Sequence, residues 1–336
     1  MPRLAFTQPA DFLKERDFGQ KIEASFDFVR AHFRPFGKCM LYIVLPAALL
    51  SGIGAGLMQS RLQLYMQQVK TAAKTGNASM APLVDFIGSP EYVLAILGSL
   101  LTFMLLILTT YGYMTLTLSK ADSAADIEVA DVWALVRRRF FGTLLATLGL
   151  AVVMIAATLP ILGVFGLLSV LGSMAGLLLP VAYIATFYVM FSLSLFHIIW
   201  VREELGFFAT LRRCFYLVWG KWWSTFGLIM VMLLIIGMMA IVFFIPQSFL
   251  NITSIITPDA ASPNALLVVA VNTVSSMALM MLYPLLFLAI AFQYFNLVER
   301  KEGEGLHRLV GRIGQPAVAD QPVAAARYRA EEEGEY

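Results

Sequence analysis

Stretches without any charged residue alternate with short basic stretches along this chain of 336 residues. A helix needs about 20 apolar residues to cross the hydrocarbon core of a bilayer, and the charge-free sequence suffices for six such helices. The predicted spans are residues 39–58, 92–118, 141–160, 176–200, 224–249 and 265–297. The pattern therefore predicts an all-α membrane protein. Its six-span domain, residues 39–298, lies between an N-terminal segment, 1–38, and a tail, 299–336.

The longest charge-free stretch, residues 141–200, is too long for a single span. Proline and glycine interrupt its middle, and both favour a break between helices. The interrupting residues are Pro160, Gly163, Gly166, Gly172 and Gly176. We therefore expect this stretch to form a helical hairpin that turns in this region.

A basic amphipathic segment followed by a glycine precedes the first, third and fifth predicted spans. These segments are residues 18–36 before Gly37, 129–141 before Gly142 and 208–219 before Gly220. In the first segment the apolar residues fall within an arc of about 80° at about 100° per residue. They are Phe18, Ile22, Phe26, Val29 and Phe33. Such a stripe with a basic back is typical of a helix that lies in the plane of the membrane surface.

The glycine after each segment permits a sharp change of direction into the span. The sequence thus predicts six transmembrane helices in three parallel repeats, each preceded by a cytoplasmic amphipathic interfacial helix. A similar pattern in residues 305–313 predicts a short fourth amphipathic helix. The rest of the tail, rich in Ala, Pro and Glu, has the composition of a disordered segment. Within the first span, the spacing of Gly52 and Gly56 is typical of close helix packing.

Composition and charge agree with a membrane protein and define its orientation. Hydrophobic residues make up 59% of the chain and charged residues 14%, whereas a soluble domain carries about 25% charge. Of the 24 Lys and Arg residues, 21 lie before residue 39, in 120–139, in 202–221 or after residue 297. Loops rich in Lys and Arg stay in the cytoplasm. We therefore expect a multi-pass protein of the bacterial cytoplasmic (inner) membrane with both termini in the cytoplasm.

The basic residues of the three amphipathic segments are candidate contacts for anionic lipid head groups. They are Arg30, Arg34, Lys38, Arg137, Arg138, Arg139, Arg212, Arg213 and Lys221. Each Lys or Arg near an anionic surface contributes about 1 kcal/mol to binding. The simpler alternative is that these residues only set the topology.

The second, fourth and sixth predicted spans carry polar residues that are candidates for lining a cavity. They are Thr110, Tyr113, Tyr188, Ser192, Tyr283 and Gln293. The alternative is that these side chains only form hydrogen bonds between helices.

Nothing in the sequence indicates an enzyme, a metal site or a nucleic-acid partner. The spans contain no Asp, Glu, Lys or Arg that could serve as a general acid or base at membrane depth. The three histidines, His32, His197 and His307, lie on separate segments, and no phosphate-binding loop is present. We therefore expect no catalytic residues and no cofactor.

The segment 201–227 carries a resemblance to a known family. Its sequence, VREELGFFATLRRCFYLVWGKWWSTFG, combines a glutamate-containing turn, an amphipathic helix and a GKWW entry into a span. This resembles bacterial six-span proteins that are similar to the membrane domain of some glycerophosphodiester phosphodiesterases. The opening FLKERDFGQKIEASFDFVRAHFRPFGKCMLY is similar to the start of such proteins in Bacteroidetes-type bacteria. The resemblance extends to about residue 314. It implies the membrane fold but no phosphodiesterase activity, because the soluble enzyme domain has no counterpart here.

Two functions follow as expectations. The first is a non-enzymatic integral membrane protein that organises the membrane, or supports a protein partner, through its basic interfacial helices. Its partners would be membrane lipids and that protein. The alternative is a transporter or flippase of a lipid or a small amphiphile, which would use the polar faces of the even-numbered spans.

Overall fold

The chain folds into a bundle of long helices. The structure, a computed structural model, describes residues 6, 9–75, 81–120, 127–171, 178–256 and 265–312. Its α-helices are α1 (Pro9–Phe12), α2 (Phe18–Ala31), α3 (Phe33–Cys39), α4 (Leu45–Thr75), α5 (Ala81–Ile87), α6 (Pro90–Lys120), α7 (Val129–Leu171), α8 (Leu179–Ser192), α9 (Phe196–Glu203), α10 (Phe207–Val218), α11 (Trp222–Ile256), α12 (Ala265–Glu302) and α13 (Glu304–Arg312). A π-helical turn, Met40–Val44, joins α3 to α4, and a 3-10 turn, Leu193–Leu195, joins α8 to α9.

Within the described residues, six helical segments are long and apolar enough to cross a membrane, which confirms the predicted number. They are Phe33–Ala72, Pro90–Ser119, Val129–Leu167, Leu179–Glu203, Trp222–Pro246 and Leu266–Glu302. Helices suit this role because all their backbone hydrogen bonds close within the segment. The protein is therefore a multi-pass membrane protein in architecture.

The third span is longer than predicted, because α7 continues through Pro160, Gly163 and Gly166 to Leu171. The expected break at these three residues is wrong. A proline removes only one backbone hydrogen bond, and long membrane helices tolerate that loss. The other two predicted break residues, Gly172 and Gly176, lie outside the described part of the chain, as does the tail 313–336. The first span also extends past the predicted residue 58, since α4 continues to Thr75.

The six spans pack side by side as a closed ring, and the even-numbered spans also contact one another at its centre. Each span contacts the next in the order α4, α6, α7, α8, α11, α12, and α12 contacts α4 again. In addition, α6 contacts α12, and α9, the end of the fourth span, contacts both. The second, fourth and sixth spans therefore meet inside the bundle. The third span lies furthest out, with only 6% of its most apolar stretch buried within the protein.

Small residues let α4 approach its two neighbours closely. A Cβ added at Gly56 would lie 2.9 Å from Val269 Cα of α12, and one at Gly52 would lie 3.0 Å from the Thr273 carbonyl oxygen of the same helix. On another side of α4, a Cβ at Gly54 would lie 2.9 Å from Ala95 Cα of α6. The spacing of Gly52 and Gly56 therefore does serve close helix packing.

Ion pairs join several basic segments at one end of the bundle. Arg139 of α7 pairs with Glu204, which follows α9. Arg213 of α10 pairs with Glu302 at the end of α12. We call this part the basic end; it comprises α2, α3, the start of α7, α9, α10, the end of α12 and α13.

Only one of the three predicted glycine turns is present. Gly220 has a φ of +80° between α10 and α11, so the chain turns there as expected. Gly142 instead lies inside the continuous helix α7, and Gly37 lies inside α3. The prediction of a separate second amphipathic helix ending at Gly142 is therefore wrong. In the first segment the helix ends earlier, at Ala31.

Candidate functional site

Exposed arginines share helix faces with exposed aromatic rings at the basic end. On α7, Arg137 and Phe141 are four residues apart and so lie on the same face. Arg137 is exposed, and Phe141 is 78% exposed. On α10, Phe208 and Arg212 have the same spacing; Arg212 is exposed and Phe208 is 81% exposed. These two pairs present a ring and a guanidinium side by side on separate helices.

Three other predicted lipid contacts are also exposed and lie close in sequence to further exposed rings. On α3, Arg34 and Lys38 are exposed and follow Phe33, which is itself exposed. Lys221 is exposed between Trp219 and Trp223. The remaining two are also exposed: Arg138, beside Arg137, and Arg30, which lies 3.4 Å from the Asp27 carboxylate.

Two of the nine predicted lipid contacts form ion pairs with carboxylates of other segments. The Arg213 guanidinium donates to Glu203 at 2.9 Å and to Glu302 at 2.8 Å. The hydrogen bond to Glu302 is the main cause of a raised pKa for Arg213. Arg139 pairs with Glu204. The structure thus places these two arginines in contacts between segments, while the other seven face outward.

Carboxylates and a tyrosine complete a network that the sequence analysis missed. Tyr294 of α12 donates to Glu203 at 2.6 Å and accepts a hydrogen bond of 2.8 Å from Arg202. Arg202 also pairs with Glu304 at 2.7 Å. The acidic residues that flank the basic segments, at positions 203–204 and 302–304, are the signal that could have revealed it.

The N-terminal segment is anchored in the bundle by buried aromatic rings. Phe6 and Phe12 are fully buried, and the Phe6 ring lies 5.4 Å from that of Phe28 and 5.5 Å from that of Phe292. Arg16 is 2% exposed; its guanidinium lies 4.9 Å from the centre of the Phe292 ring. Burial lowers the pKa of Arg16 to about 10. Phe6, Phe12 and Arg16, which precede α2, are therefore part of the core.

The face that α2 buries differs from its predicted apolar stripe. Its buried residues are Lys21, Ala24, Ser25 and Phe28, whereas Phe18, in the predicted stripe, is 40% exposed. Phe33 lies beyond the end of α2. The helix contacts α12 and α11, and its buried lysine meets polar side chains of both. Lys21 donates to Gln293 at 2.8 Å and to Ser224 at 3.1 Å.

The six candidate cavity residues make their contacts in different parts of the bundle. Gln293 bonds Lys21 and Thr225. Tyr188 stacks on Trp222 at 5.9 Å, and Ser192 donates to the Tyr188 carbonyl at 2.7 Å.

The other three candidates lie on α6 and α12. Tyr113 packs against Phe28 and Phe36 at the basic end. Tyr283 stacks on Phe287 at 6.5 Å. Thr110 is fully buried, and within the described chain neither its hydroxyl nor that of Thr109 has a hydrogen-bond partner.

Two shallow grooves lie elsewhere, between α11 and α12. The larger has a volume of about 540 Å³ and is lined mainly by apolar residues, among them Ile241, Phe244 and Leu279. The smaller lies near Pro246 and Val271. Neither groove is lined by any of the six candidate cavity residues. Within the described residues, no three His, Cys, Asp or Glu side chains come together as metal ligands would.

Comparison with known proteins adds no relative. The chain matches no protein-family model, no curated protein and no solved structure. The resemblance to the membrane domain of glycerophosphodiester phosphodiesterases therefore stays an expectation.

Proposed function

We propose that this chain is a non-enzymatic integral protein of a bacterial cytoplasmic membrane that binds anionic lipids at its basic end. By doing so it would organise the surrounding membrane or support a protein partner there. The observation that carries the proposal is the pairing of exposed arginine and exposed aromatic side chains on one helix face, in Arg137–Phe141 and Phe208–Arg212.

The chemistry of these pairs suits the boundary between lipid head groups and water. Aromatic rings are enriched at this boundary, and cations there attract the phosphates of anionic lipids. A soluble protein would leave few such rings exposed. The proposal includes three parallel repeats, in which α2 and α10 would be the interfacial helices of the first and the third. In the second repeat the basic start of the continuous helix α7 would take that place.

The proposed orientation places the basic end in the cytoplasm, because loops rich in Lys and Arg remain there. A reporter inserted at residues 71–77 is then expected outside the cytoplasm. A cytoplasmic signal from that reporter would overturn the orientation.

Lipid binding can be measured with the protein's own tryptophans, because all five lie at or beside the basic end. They are Trp133, Trp200, Trp219, Trp222 and Trp223. In nanodiscs, brominated phosphatidylglycerol should quench their fluorescence more than brominated phosphatidylcholine at the same mole fraction. The variant Arg137→Glu, Arg138→Glu, Arg212→Glu should lose this preference. At about 1 kcal/mol per arginine, the three substitutions together should lower the relative affinity by roughly a hundredfold.

A matched control reverses charges at the other end of the bundle. Lys70 and Lys74 are exposed near the far end of α4, about 37 Å along that helix from Leu45 at about 1.5 Å per residue. The variant Lys70→Glu, Lys74→Glu should keep the tryptophan quenching of the parent protein. Equal quenching by both lipids in the parent protein would refute the proposal.

One observation favours the transporter or flippase alternative. The buried hydroxyls of Thr109 and Thr110 lack partners within the described chain, and a polar substrate could supply them. Proteoliposomes should then move a fluorescent lipid between leaflets, and Thr109→Val with Thr110→Val should change the rate. Absence of any protein-dependent lipid movement would exclude this alternative for that lipid.

A further inference from the structure

Lys21 is a buried cation whose direct partners are neutral. The residue is only 3% exposed. Its ammonium group donates to the Gln293 side-chain oxygen at 2.8 Å and to the Ser224 hydroxyl at 3.1 Å. An ammonium group has three N–H donors, so these two bonds leave one donor. No carboxylate among the described residues lies within ion-pair distance of Lys21.

The partners of Lys21 are themselves fixed in an orientation that suits a cation. The Gln293 amide donates to the Thr225 hydroxyl at 2.9 Å, which turns its oxygen toward Lys21. Gln293 is 1% exposed and Thr225 is also buried. The site is therefore built into the packing of α2, α11 and α12.

Further cations surround this lysine. Arg300 and Lys221 are close enough for their charges to disfavour its protonation, while Asp17 favours it. Glu15 lies 3.4 Å from Arg300 at the exposed rim. Burial is the largest effect and, with Arg300, lowers the pKa of Lys21 to about 8. The ammonium is therefore still charged at neutral pH, and a buried charge without an anion is costly.

The site also lies at the start of a long helix. Ser224 belongs to the first turn of α11, which spans 35 residues from Trp222. The N-terminus of a helix attracts anions through its free N–H groups and its dipole. Lys221 directly precedes this turn and is exposed, so the site has an edge open to the membrane surface or to solvent.

We propose that Lys21, with Ser224, Lys221 and Arg300, forms a binding site for one phosphate group. That phosphate comes either from an anionic lipid head group or from a free phosphate at the membrane surface. If the phosphate comes from a lipid, the inference rests on the proposed function. It then assigns anionic-lipid binding to one defined site in place of a broad surface.

The first experiment uses inorganic phosphate and the protein in a neutral detergent. The melting temperature of the parent protein should rise with phosphate concentration. Lys21→Met should lose this shift, because it removes the ammonium and keeps the length of the side chain. Lys70→Met, which changes an exposed lysine near the far end of α4, should retain it. Lys21→Met is expected to fold, because it removes the cost of burying a charge that has no ion-pair partner among the described residues.

The second experiment tests the lipid source by native mass spectrometry of protein from nanodiscs that contain phosphatidylglycerol and phosphatidylcholine. One retained phosphatidylglycerol that Lys21→Met loses would assign the site to a lipid phosphate. A phosphate-induced shift without retained lipid would assign it to free phosphate. Ser224→Ala should lower the affinity for whichever ligand binds by roughly tenfold. This is the effect expected for the loss of one hydrogen bond to a charged group.

The inference is overturned if neither phosphate nor lipid distinguishes Lys21→Met from the parent protein, or if neither ligand binds the parent at all. Two sets of variants distinguish a failure of this inference from a failure of the proposed function. The variant of Arg137, Arg138 and Arg212 should keep the effect that depends on Lys21, whereas Lys21→Met should keep the general tryptophan quenching by anionic lipid.

Discussion

The guanidinium of Arg202 donates hydrogen bonds of 2.7 and 2.8 Å to the two carboxylate oxygens of Glu304. This pair joins the end of the fourth span to α13. The same guanidinium lies 4.9 Å from the centre of the Phe295 ring of α12. The Arg202 side chain is 11% exposed and that of Glu304 is 29% exposed. The arginine is therefore the more deeply buried partner, and the two halves of the pair should differ in their effect on stability.

Arg202→Met should lower the free energy of unfolding by about 2 kcal/mol, because it removes the ion pair with Glu304, the hydrogen bond to Tyr294 and a cation–π contact. Glu304→Gln should cost less, since Tyr294 remains an acceptor for Arg202. Denaturant titration in detergent would measure both effects. Arg30→Ala, which removes an exposed pair with Asp27, should change stability by less than about 1 kcal/mol. Equal losses in all three variants would contradict this account.

The three glycines that precede odd-numbered spans should respond differently to alanine. Gly220→Ala should cost about 1–2 kcal/mol, because its φ of +80° is unfavourable for a residue with a Cβ. Gly142→Ala should be neutral or stabilising by up to about 1 kcal/mol, since Gly142 lies in a helix and the nearest atom to the added Cβ is 4.0 Å away. Thermal melts of the two variants side by side would test this. If Gly142→Ala lost more stability than Gly220→Ala, the result would support a turn at Gly142, as the sequence predicts, and contradict a continuous α7.

These glycines show what the sequence can and cannot predict in a membrane helix. Six spans follow from local composition alone, because a charge-free stretch of sufficient length has few alternatives in a bilayer. A turn at glycine is different, since Gly142 and Gly220 occupy equivalent places in the pattern. The helix continues through Gly142 but ends at Val218 before Gly220. That choice depends on tertiary contacts, which a local pattern does not contain.

The candidate site is likewise predictable in part from local sequence and in part only from tertiary contacts. The basic segments are visible in the sequence, and seven of the nine predicted arginines and lysines do lie on the outside. Arg213 does not, because Glu203 and Glu302 come from other segments and meet it only in the folded chain. The sequence pattern does not distinguish Lys21 from a solvated lysine, because its partners come from α11 and α12. The small residues Ala24 and Ser25 beside it were the available signal that another helix approaches this face.

Close packing of α4 against α12 predicts a strong effect of volume at Gly56. Gly56→Val should destabilise the bundle by about 3 kcal/mol or more, because even a Cβ would lie 2.9 Å from the Val269 backbone. Gly163→Val is the control: it is also a glycine in a span, but no atom lies within 4 Å of an added Cβ. The fraction of folded protein after extraction and heating would distinguish them. Similar tolerance at both positions would mean that α4 and α12 are further apart than described.

The buried Lys21 predicts a dependence of stability on pH with a definite sign. Its pKa is lowered to about 8 in the folded protein, against about 10.4 in an unfolded chain. Below pH 8 both states carry the charge, so the cost of burying it is fully present. Between about pH 8 and 10.4 the unfolded state binds more protons, and stability therefore rises with pH.

Melting temperatures from pH 7 to 9.5 should accordingly rise for the parent protein relative to Lys21→Met. The comparison cancels the contribution of Arg16, whose pKa is also lowered and which both proteins contain. An anion bound beside the ammonium would raise the pKa of Lys21 again, so saturating phosphate should reduce the rise. A parent protein that loses stability over this range relative to Lys21→Met would show that the lysine already has an anionic partner in the folded chain.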